Sequence, residues 1–214
     1  MLDSYDPERR EILFRTRDEA LDNLKRLLRG FSMLKESASV IEGGGAAADE
    51  IAAKVAEALA EDSAPQWESD GTVLDMRYTS SSIVARDDRE APAYDRHRYT
   101  PHAAPGHRAP MTWLTPDKAL YDLFGLDFTL LCLSASAEAI TMRDALAAAL
   151  AKRGVPTTSL DLPIDGLRQL YDADLVLIRP DFQIAWRSGC QPSTPDRIVD
   201  LVCGYLQKEE VSER

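Results

Sequence analysis

Cysteine is the most reactive side chain that this sequence offers, because a thiolate can act as a nucleophile, a redox group or a zinc ligand. The chain contains three cysteines: Cys132, Cys190 and Cys203. An odd number without any CxxC pair predicts neither a disulfide framework nor a thiolate zinc site. We therefore interpret all three as reduced thiols, with Cys132 as a small buried apolar residue of a strand.

Histidine is the second candidate ligand. His97, His102 and His107 lie at five-residue intervals in one loop. Side chains share a face at intervals of three or four in a helix and of two in a strand, and Pro101 and Pro105 interrupt any helix here. Solvated or interface histidines are therefore favoured, and a metal site assembled by the loop is the alternative.

The same stretch is locally basic in an acidic chain. It carries five arginines: Arg86, Arg89, Arg96, Arg98 and Arg108. They predict a solvated face, and contact with an acidic surface or a phosphate is the alternative. Across the whole chain, 25 Lys and Arg against 36 Asp and Glu give a net charge of -11. Because this charge repels phosphate backbones and anionic lipids, we expect no nucleic-acid partner and no membrane partner.

Known cofactor and catalytic motifs are missing from the sequence. It contains no GxGxxG, GxxxxGK[ST], GxSxG or HExxH, and the glycines 43–45 follow no predicted strand. We therefore predict no catalytic, cofactor-binding or metal-binding residue. No apolar run approaches the ~20 residues that span a bilayer, and the charged start differs from a secretory signal, so we expect a cytoplasmic protein.

The first part of the chain predicts two helices. A long helix with Asp6 as N-cap and Pro7 at its first position should span the first forty residues. Its apolar residues share one face: Leu13, Ala20, Leu24, Leu27, Phe31 and Leu34. A second helix over 49–60 carries its own apolar side: Ile51, Val55, Ala58 and Leu59. Two helices cannot bury both stripes alone, so this part should pack against something larger.

The middle of the chain, from 67 to 116, predicts extended structure without helices, because prolines punctuate it too often. Residues 73–84 are rich in strand-forming types and predict a β-strand. Residues 85–110 predict a long surface connection, and loops of this length are commonly functional or form an interface.

The last part predicts a thioredoxin-like α/β domain of the order βαβ-ββα. The predicted strands are 128–133, 157–162, 175–178 and 183–186. The predicted helices are 143–152, closed by Gly154, then 167–171, and 196–206 with Thr194 as N-cap and Pro195 at its first position. The reactive dithiol of that fold would lie where this chain has Ser134 to Ala137, so thiol catalysis is not predicted. The proline expected before the third strand is also missing from 171–174.

With 214 residues, of which 44% are hydrophobic and 29% charged, the chain has the composition of a globular protein. Its predicted fold class is α/β, with an N-terminal helical segment and an extended linker before the thioredoxin-like C-terminal domain. The predicted boundaries are 1–66 for the helical segment, 67–116 for the extended strand and Pro-rich linker, 117–208 for the thioredoxin-like domain and 209–214 for a tail.

Several stretches of the sequence resemble one family in the correct order. They are LDSYDPERR (2–10), VLDMRYTSSSIV (73–84), YTPHAAPGHRAPMTWL (99–114), ALYDLFGLDFTLLCL (119–133) and LYDADLVLIRPDFQIAWR (170–187). Together they resemble the C-terminal portion of FAD-dependent aromatic-ring hydroxylases of the phenol and chlorophenol monooxygenase type. In that family, the first stretch directly follows the second flavin-binding motif, and the last two belong to a thioredoxin-like terminal domain.

The resemblance implies that this chain and the flavin site belong to different parts of the enzyme. The complete enzyme would use FAD and NAD(P)H to hydroxylate a phenol-like ring, whereas this chain alone should bind no cofactor, because the flavin site would lie upstream of Met1. Its expected partner is a flavin-binding domain or subunit, and a homodimer is a further expectation. The expected interdomain contact comprises Pro105, Gly106, Arg108 and Pro110. The alternative is a free-standing, non-catalytic thioredoxin-like module for protein binding or dimerisation, so enzymatic activity of this chain is left open.

Overall fold

The protein is described by a computed structural model, which covers residues 2–206 and all of their side chains except that of Leu2. The described residues form two compact units: 2–11, 74–94 and 100–206 in the first, and 12–73 with 95–99 in the second. The predicted boundaries at 66 and 116 stay a prediction. The predicted tail at 209–214 lies outside the described residues.

Three helices dominate the N-terminal third: α1 (Leu2–Gly43), α2 (Ala46–Trp67) and α3 (Asp70–Leu74). The predicted helix start was wrong, because α1 begins at Leu2 and contains Pro7 in its interior. A proline there removes one N–H···O bond near the end of a 42-residue helix, which the remaining turns tolerate.

Helix α2 extends beyond its predicted range of 49–60 at both ends. Ala46 to Ala48 are strong helix formers that begin it directly after Gly45, and Pro65 lies in its last turn. Its predicted apolar side is the covered one, since Val55 is buried and Ile51 and Leu59 are half-buried.

Helix α3 contradicts the prediction of a helix-free middle segment. Its position depends on close packing within the second unit: a Cβ on Gly71 would lie 1.7 Å from the carbonyl oxygen of Asp95. The Thr72 amide also donates to the Arg96 carbonyl at 3.1 Å. Tertiary contact therefore forms this short helix, which local propensity did not indicate.

The strand predicted over 73–84 was also wrong. The first two of these residues end α3, and the others form turns with an isolated bridge between Arg77 and His107. The Tyr78 amide donates to the Gly106 carbonyl at 2.7 Å. The backbone groups are thus satisfied by an irregular loop, so no regular ladder extends from them.

The C-terminal part is built on a four-stranded sheet: β3 (Phe128–Cys132), β4 (Thr157–Asp161), β5 (Leu175–Ile178) and β6 (Ile184–Arg187). Its order is β4-β3-β5-β6, with β3 and β4 parallel and the other neighbours antiparallel. A short hairpin precedes it: β1 (Trp113–Thr115) and β2 (Lys118–Ala119), followed by a 3-10 turn (Leu120–Leu123). The predicted fold class, helices followed by a thioredoxin-like sheet domain, is confirmed.

Three helices flank this sheet: α4 (Ala137–Lys152), α5 (Asp165–Tyr171) and α6 (Pro195–Val202). Helix α4 starts six residues before its predicted strong part, because the Ser136 hydroxyl caps it by accepting from the Ala139 amide at 3.1 Å. Helix α6 ends at Val202 rather than 206, and Thr194 lies at its N-cap position without a side-chain cap bond.

The sheet is covered on both faces, because alternate side chains of β3 and β5 enter different clusters. In β6 an irregularity in the pairing with β5 places Ile184 and Trp186, although two residues apart, in different clusters. Leu130 and Trp186 pack with Leu146 of α4 on one face. Leu131 and Ile184 pack in a second cluster on the other face. In the described part of the chain, no helix is long and apolar enough to cross a bilayer.

Candidate interdomain loop

The loop from Ala103 to Pro110 lies along the outer edge of β6. The Gly106 amide donates to the Ile184 carbonyl at 2.7 Å, and the Ile184 amide donates to the His107 carbonyl at 2.9 Å. The Ala109 amide continues this pattern to the Phe182 carbonyl at 2.8 Å. The loop therefore satisfies the backbone groups that an edge strand would otherwise expose.

Gly106 is the residue on which this arrangement depends. Its φ of +82° lies in the left-handed region, and a Cβ would be 2.9 Å from the carbonyl oxygen of Tyr78. Glycine alone combines that φ with so close an approach of a second backbone segment.

The four residues of the predicted interdomain contact differ in their exposure. Pro105, Gly106 and Pro110 are buried within the first unit, whereas Arg108 is half-buried. The buried Tyr171 hydroxyl donates to the Pro110 carbonyl at 2.8 Å. Among the four residues, Arg108 is the one whose side chain still reaches solvent, and their role in an interface stays a prediction.

The Arg108 side chain packs against aromatic rings. Its guanidinium lies 5.7 Å from the centre of the Tyr121 ring, which stacks on Phe182 at 4.8 Å between centroids. The Tyr121 hydroxyl donates to the Ala109 carbonyl, and burial raises the Tyr121 pKa. The loop therefore presents a fixed cation on an aromatic platform, which suits recognition of a carboxylate or a carbonyl.

The three histidines are not assembled into a ligand set. His102 and His107 lie in the first unit with their ring centroids 5.5 Å apart. His97 belongs to the second unit, where its Nδ1 lies 2.7 Å from the Glu68 carbonyl. Residues 2–206 contain no group of three or more potential ligands placed to hold a metal ion.

His107 is almost completely enclosed, with 3% of its surface exposed. Burial and the neighbouring Arg77 guanidinium lower its pKa to about 4, although Asp75 opposes this shift. The folded protein thus keeps His107 neutral at pH values where an unfolded chain would bind a proton.

This shift predicts a loss of stability in mild acid. As the pH falls from about 6.5 to 4, the unfolded state gains a proton at this position before the folded state does, so the free energy of unfolding should fall by about 2–3 kcal/mol. His107→Gln should remove this part of the pH dependence in urea unfolding, whereas His97→Gln at an exposed position should retain it. The prediction would be contradicted if the free energy of unfolding depended on pH in the same way in wild type and His107→Gln.

The basic stretch is partly neutralised inside the chain. Arg89 pairs with Asp87 at 2.9 Å and with Asp172 at 3.0 Å, so it does not serve as a solvated cation. Arg187, completely buried at the end of β6, pairs with Asp87 at 2.7 Å. Sequence reasoning missed Arg187, although an arginine closing a short apolar strand is a signal for a buried acidic partner.

The cysteines are unpaired and shielded. Cys132 and Cys190 are buried, and Cys203 is half-buried. Burial raises the pKa of all three, that of Cys190 to about 11. Little thiolate therefore exists at neutral pH.

The turn between β3 and α4 occupies the position where dinucleotide-binding folds hold phosphates. Such sites need glycines and free amides at the helix start. Here the turn is Ser134 to Ser136, and the Ser136 hydroxyl already accepts from the Ala139 amide. This turn does not fit a flavin dinucleotide.

Comparisons with known proteins find this chain similar to parts of larger proteins. Residues 102–204 match the family described as aromatic-ring hydroxylase, C-terminal. FAD-dependent monooxygenase apdD of Emericella nidulans is 31% identical over 144 residues, which are 64% of this chain and 23% of that protein. Aklavinone 12-hydroxylase RdmE of Streptomyces purpurascens is 33% identical over 129 residues, or 55% of this chain and 23% of that protein. The solved structure "Native and K252c bound RebC-10x" matches with a TM-score of 0.77 and 31% identity over 96% of this chain and 37% of that chain.

Residues 102–204 are thus similar to the C-terminal domain of aromatic-ring hydroxylases. The predicted resemblance to the C-terminal portion of FAD-dependent aromatic-ring hydroxylases is confirmed, and the RebC match extends it to the N-terminal helices. The chain spans 23% of the length of both curated relatives.

Proposed function

We propose that this chain is the C-terminal part of a flavin-dependent aromatic hydroxylase and that its role there is structural, supporting and closing the flavin-binding part. One observation carries the proposal: 96% of this chain has a counterpart in RebC, yet it covers 37% of that chain. The larger remainder of such an enzyme would hold the cofactor. The serine-capped start of α4, which does not fit a dinucleotide, supports the same division.

In the complete enzyme, bound FAD, reduced by NAD(P)H, would supply the oxygen chemistry that hydroxylates a phenol-like ring. The residues of this chain would contribute position and exclusion of water rather than a reacting group. The substrate class follows from the family.

The Arg108 loop is the proposed contact with the flavin-binding part. The backbones of Gly106 and His107 hold the loop on β6, and Arg108 lies over the Tyr121 ring. A fixed guanidinium of this kind contributes to binding at low entropic cost, because its conformation is set before the partner arrives.

Co-expression with a flavin-binding polypeptide encoded directly upstream tests the proposal. We expect wild type to co-purify with that polypeptide and its flavin. Arg108→Ala should weaken this association about tenfold, as loss of an interface arginine typically does, while the thermal midpoint of the isolated chain changes little. Arg197→Ala, an exposed arginine of α6, is the matched control and should change neither.

Two outcomes would contradict the account. If wild type does not bind the flavin-binding polypeptide, the free-standing module becomes the better description. If Arg108→Ala lowers stability as much as binding, Arg108 supports the fold and is not an interface residue.

A further inference from the structure

Helix α1 directs polar side chains toward the rest of the second unit. Glu19 accepts a hydrogen bond from the Thr72 hydroxyl at 2.6 Å, and Asn23 accepts one from Arg96 at 3.3 Å. Gly30 faces α2, where a Cβ would lie 2.6 Å from Leu59 Cδ2. The packed side of α1 therefore carries polar residues, whereas Leu27, Phe31 and Leu34 only border the groove between α1 and α2 and stay largely exposed.

Eight large apolar side chains of α1 are instead 41% to 63% exposed. We call them the α1 apolar face: Leu13, Phe14, Leu21, Leu24, Leu27, Leu28, Phe31 and Leu34. All belong to the second unit and to one continuous helix. A helix that buries polar groups and exposes leucines is missing a partner on that side.

The spacing of these residues follows a heptad repeat. Leu13, Ala20, Leu27 and Leu34 recur every seven residues, with Leu24 and Phe31 four residues after the second and third of them, as in a heptad repeat.

A further column adjoins this seam: Phe14, Leu21 and Leu28. Three apolar positions per heptad form the wide stripe of a helix that faces a core, whereas a two-stranded coiled coil needs two.

The size of the face is that of a stable interface. About half of each side chain is exposed, so the face offers on the order of 700 Å² of apolar surface along about 32 Å of helix. The largest apolar patch of a typical monomer is about 300–600 Å², and each partner of a standard interface buries about 800 Å². The face is therefore close in size to one side of a standard interface.

We propose that the α1 apolar face docks onto an apolar surface of the flavin-binding part of the enzyme; this inference rests on the proposed function. The match to RebC covers the helices of this chain but 37% of that polypeptide, so a larger folded part is present there to meet this face. A second copy of α1 fits less well, because a two-helix seam would leave the column of Phe14, Leu21 and Leu28 exposed.

The test is the double variant Leu24→Glu/Phe31→Glu in the co-expression experiment with the flavin-binding polypeptide. Two carboxylates in a desolvated apolar interface are costly, so we expect at least a hundredfold loss of affinity. Both positions are exposed in this chain, so the far-UV circular dichroism and the thermal midpoint of the isolated double variant should match wild type. Ala56→Glu on the exposed side of α2 adds the same type of charge elsewhere and should bind like wild type.

The outcomes separate this proposal from the proposed function. If wild type binds and the double variant binds equally well, the docking face is wrong while the proposed function stands. If wild type does not bind at all, the proposed function fails and the docking proposal fails with it. If isolated wild type is a stable dimer in light scattering and the double variant is a monomer, the face is covered by a second copy and our assignment is overturned.

Discussion

Replacing Asp87 with alanine should lower the free energy of unfolding by about 3–5 kcal/mol, because it leaves a buried arginine without its carboxylate. The Asp87 carboxylate accepts from Arg89 Nε at 2.9 Å and from Arg187 Nε at 2.8 Å. Burial would raise its pKa, but the hydrogen bonds from Arg89 and Arg187 outweigh burial and hold the pKa well below its usual range. The charged carboxylate is therefore the form that stabilises the fold.

Urea unfolding measures this effect, with the exposed neighbour Asp88→Ala as the matched control, expected within about 0.5 kcal/mol of wild type. A double variant, Asp87→Ala/Arg187→Met, should cost less than the sum of the two single variants, since neither charge is then left buried alone. Additive losses, or a cost below about 1 kcal/mol for Asp87→Ala, would show that the pair does not stabilise the fold.

Replacing Gly106 with alanine should cost about 2–4 kcal/mol and release the loop from β6. A φ of +82° costs an L-residue about 1–2 kcal/mol, and the new Cβ would also press on the Tyr78 carbonyl oxygen at 2.9 Å. Gly154→Ala is the matched control, because its φ is +68° but nothing lies within 4 Å of the added Cβ. Gly154→Ala should therefore lose only the free energy of the unfavourable φ, without a steric contact.

Thermal and urea unfolding of both glycine variants, together with hydrogen exchange at the Ile184 amide, tests this prediction. We expect faster exchange at Ile184 in Gly106→Ala, because its acceptor is the His107 carbonyl. Equal destabilisation by the two glycine variants would mean that the contact with Tyr78 contributes nothing.

Local patterns predicted the sheet domain well. The apolar runs at 128–132 and 175–178 became β3 and β5, because buried strands of this kind are specified by their own composition. The predicted strand at 73–84 failed because its partners are loops distant in the chain, and α3 was missed because its contact with Asp95 lies outside any local window.

The candidate site was predictable in part. The family-like stretch at 99–114 pointed to residues 105–110, but not to the edge of β6 along which they lie. Arg187 and Asp87 are 100 residues apart, so no spacing rule joins them. The amphipathic pattern of α1 could be predicted from the sequence. The hydrogen bond between Glu19 and Thr72, which places a polar side of α1 against the second unit, could not.

Flavin content is the most direct test of the view that this chain acts only as part of a larger enzyme. The purified chain, mixed with excess FAD and passed through gel filtration, should emerge without flavin absorbance and should not oxidise NADPH when phenols are added. The complex with its flavin-binding polypeptide should retain one flavin per assembly. A stoichiometric yellow cofactor held by the isolated chain would contradict the account.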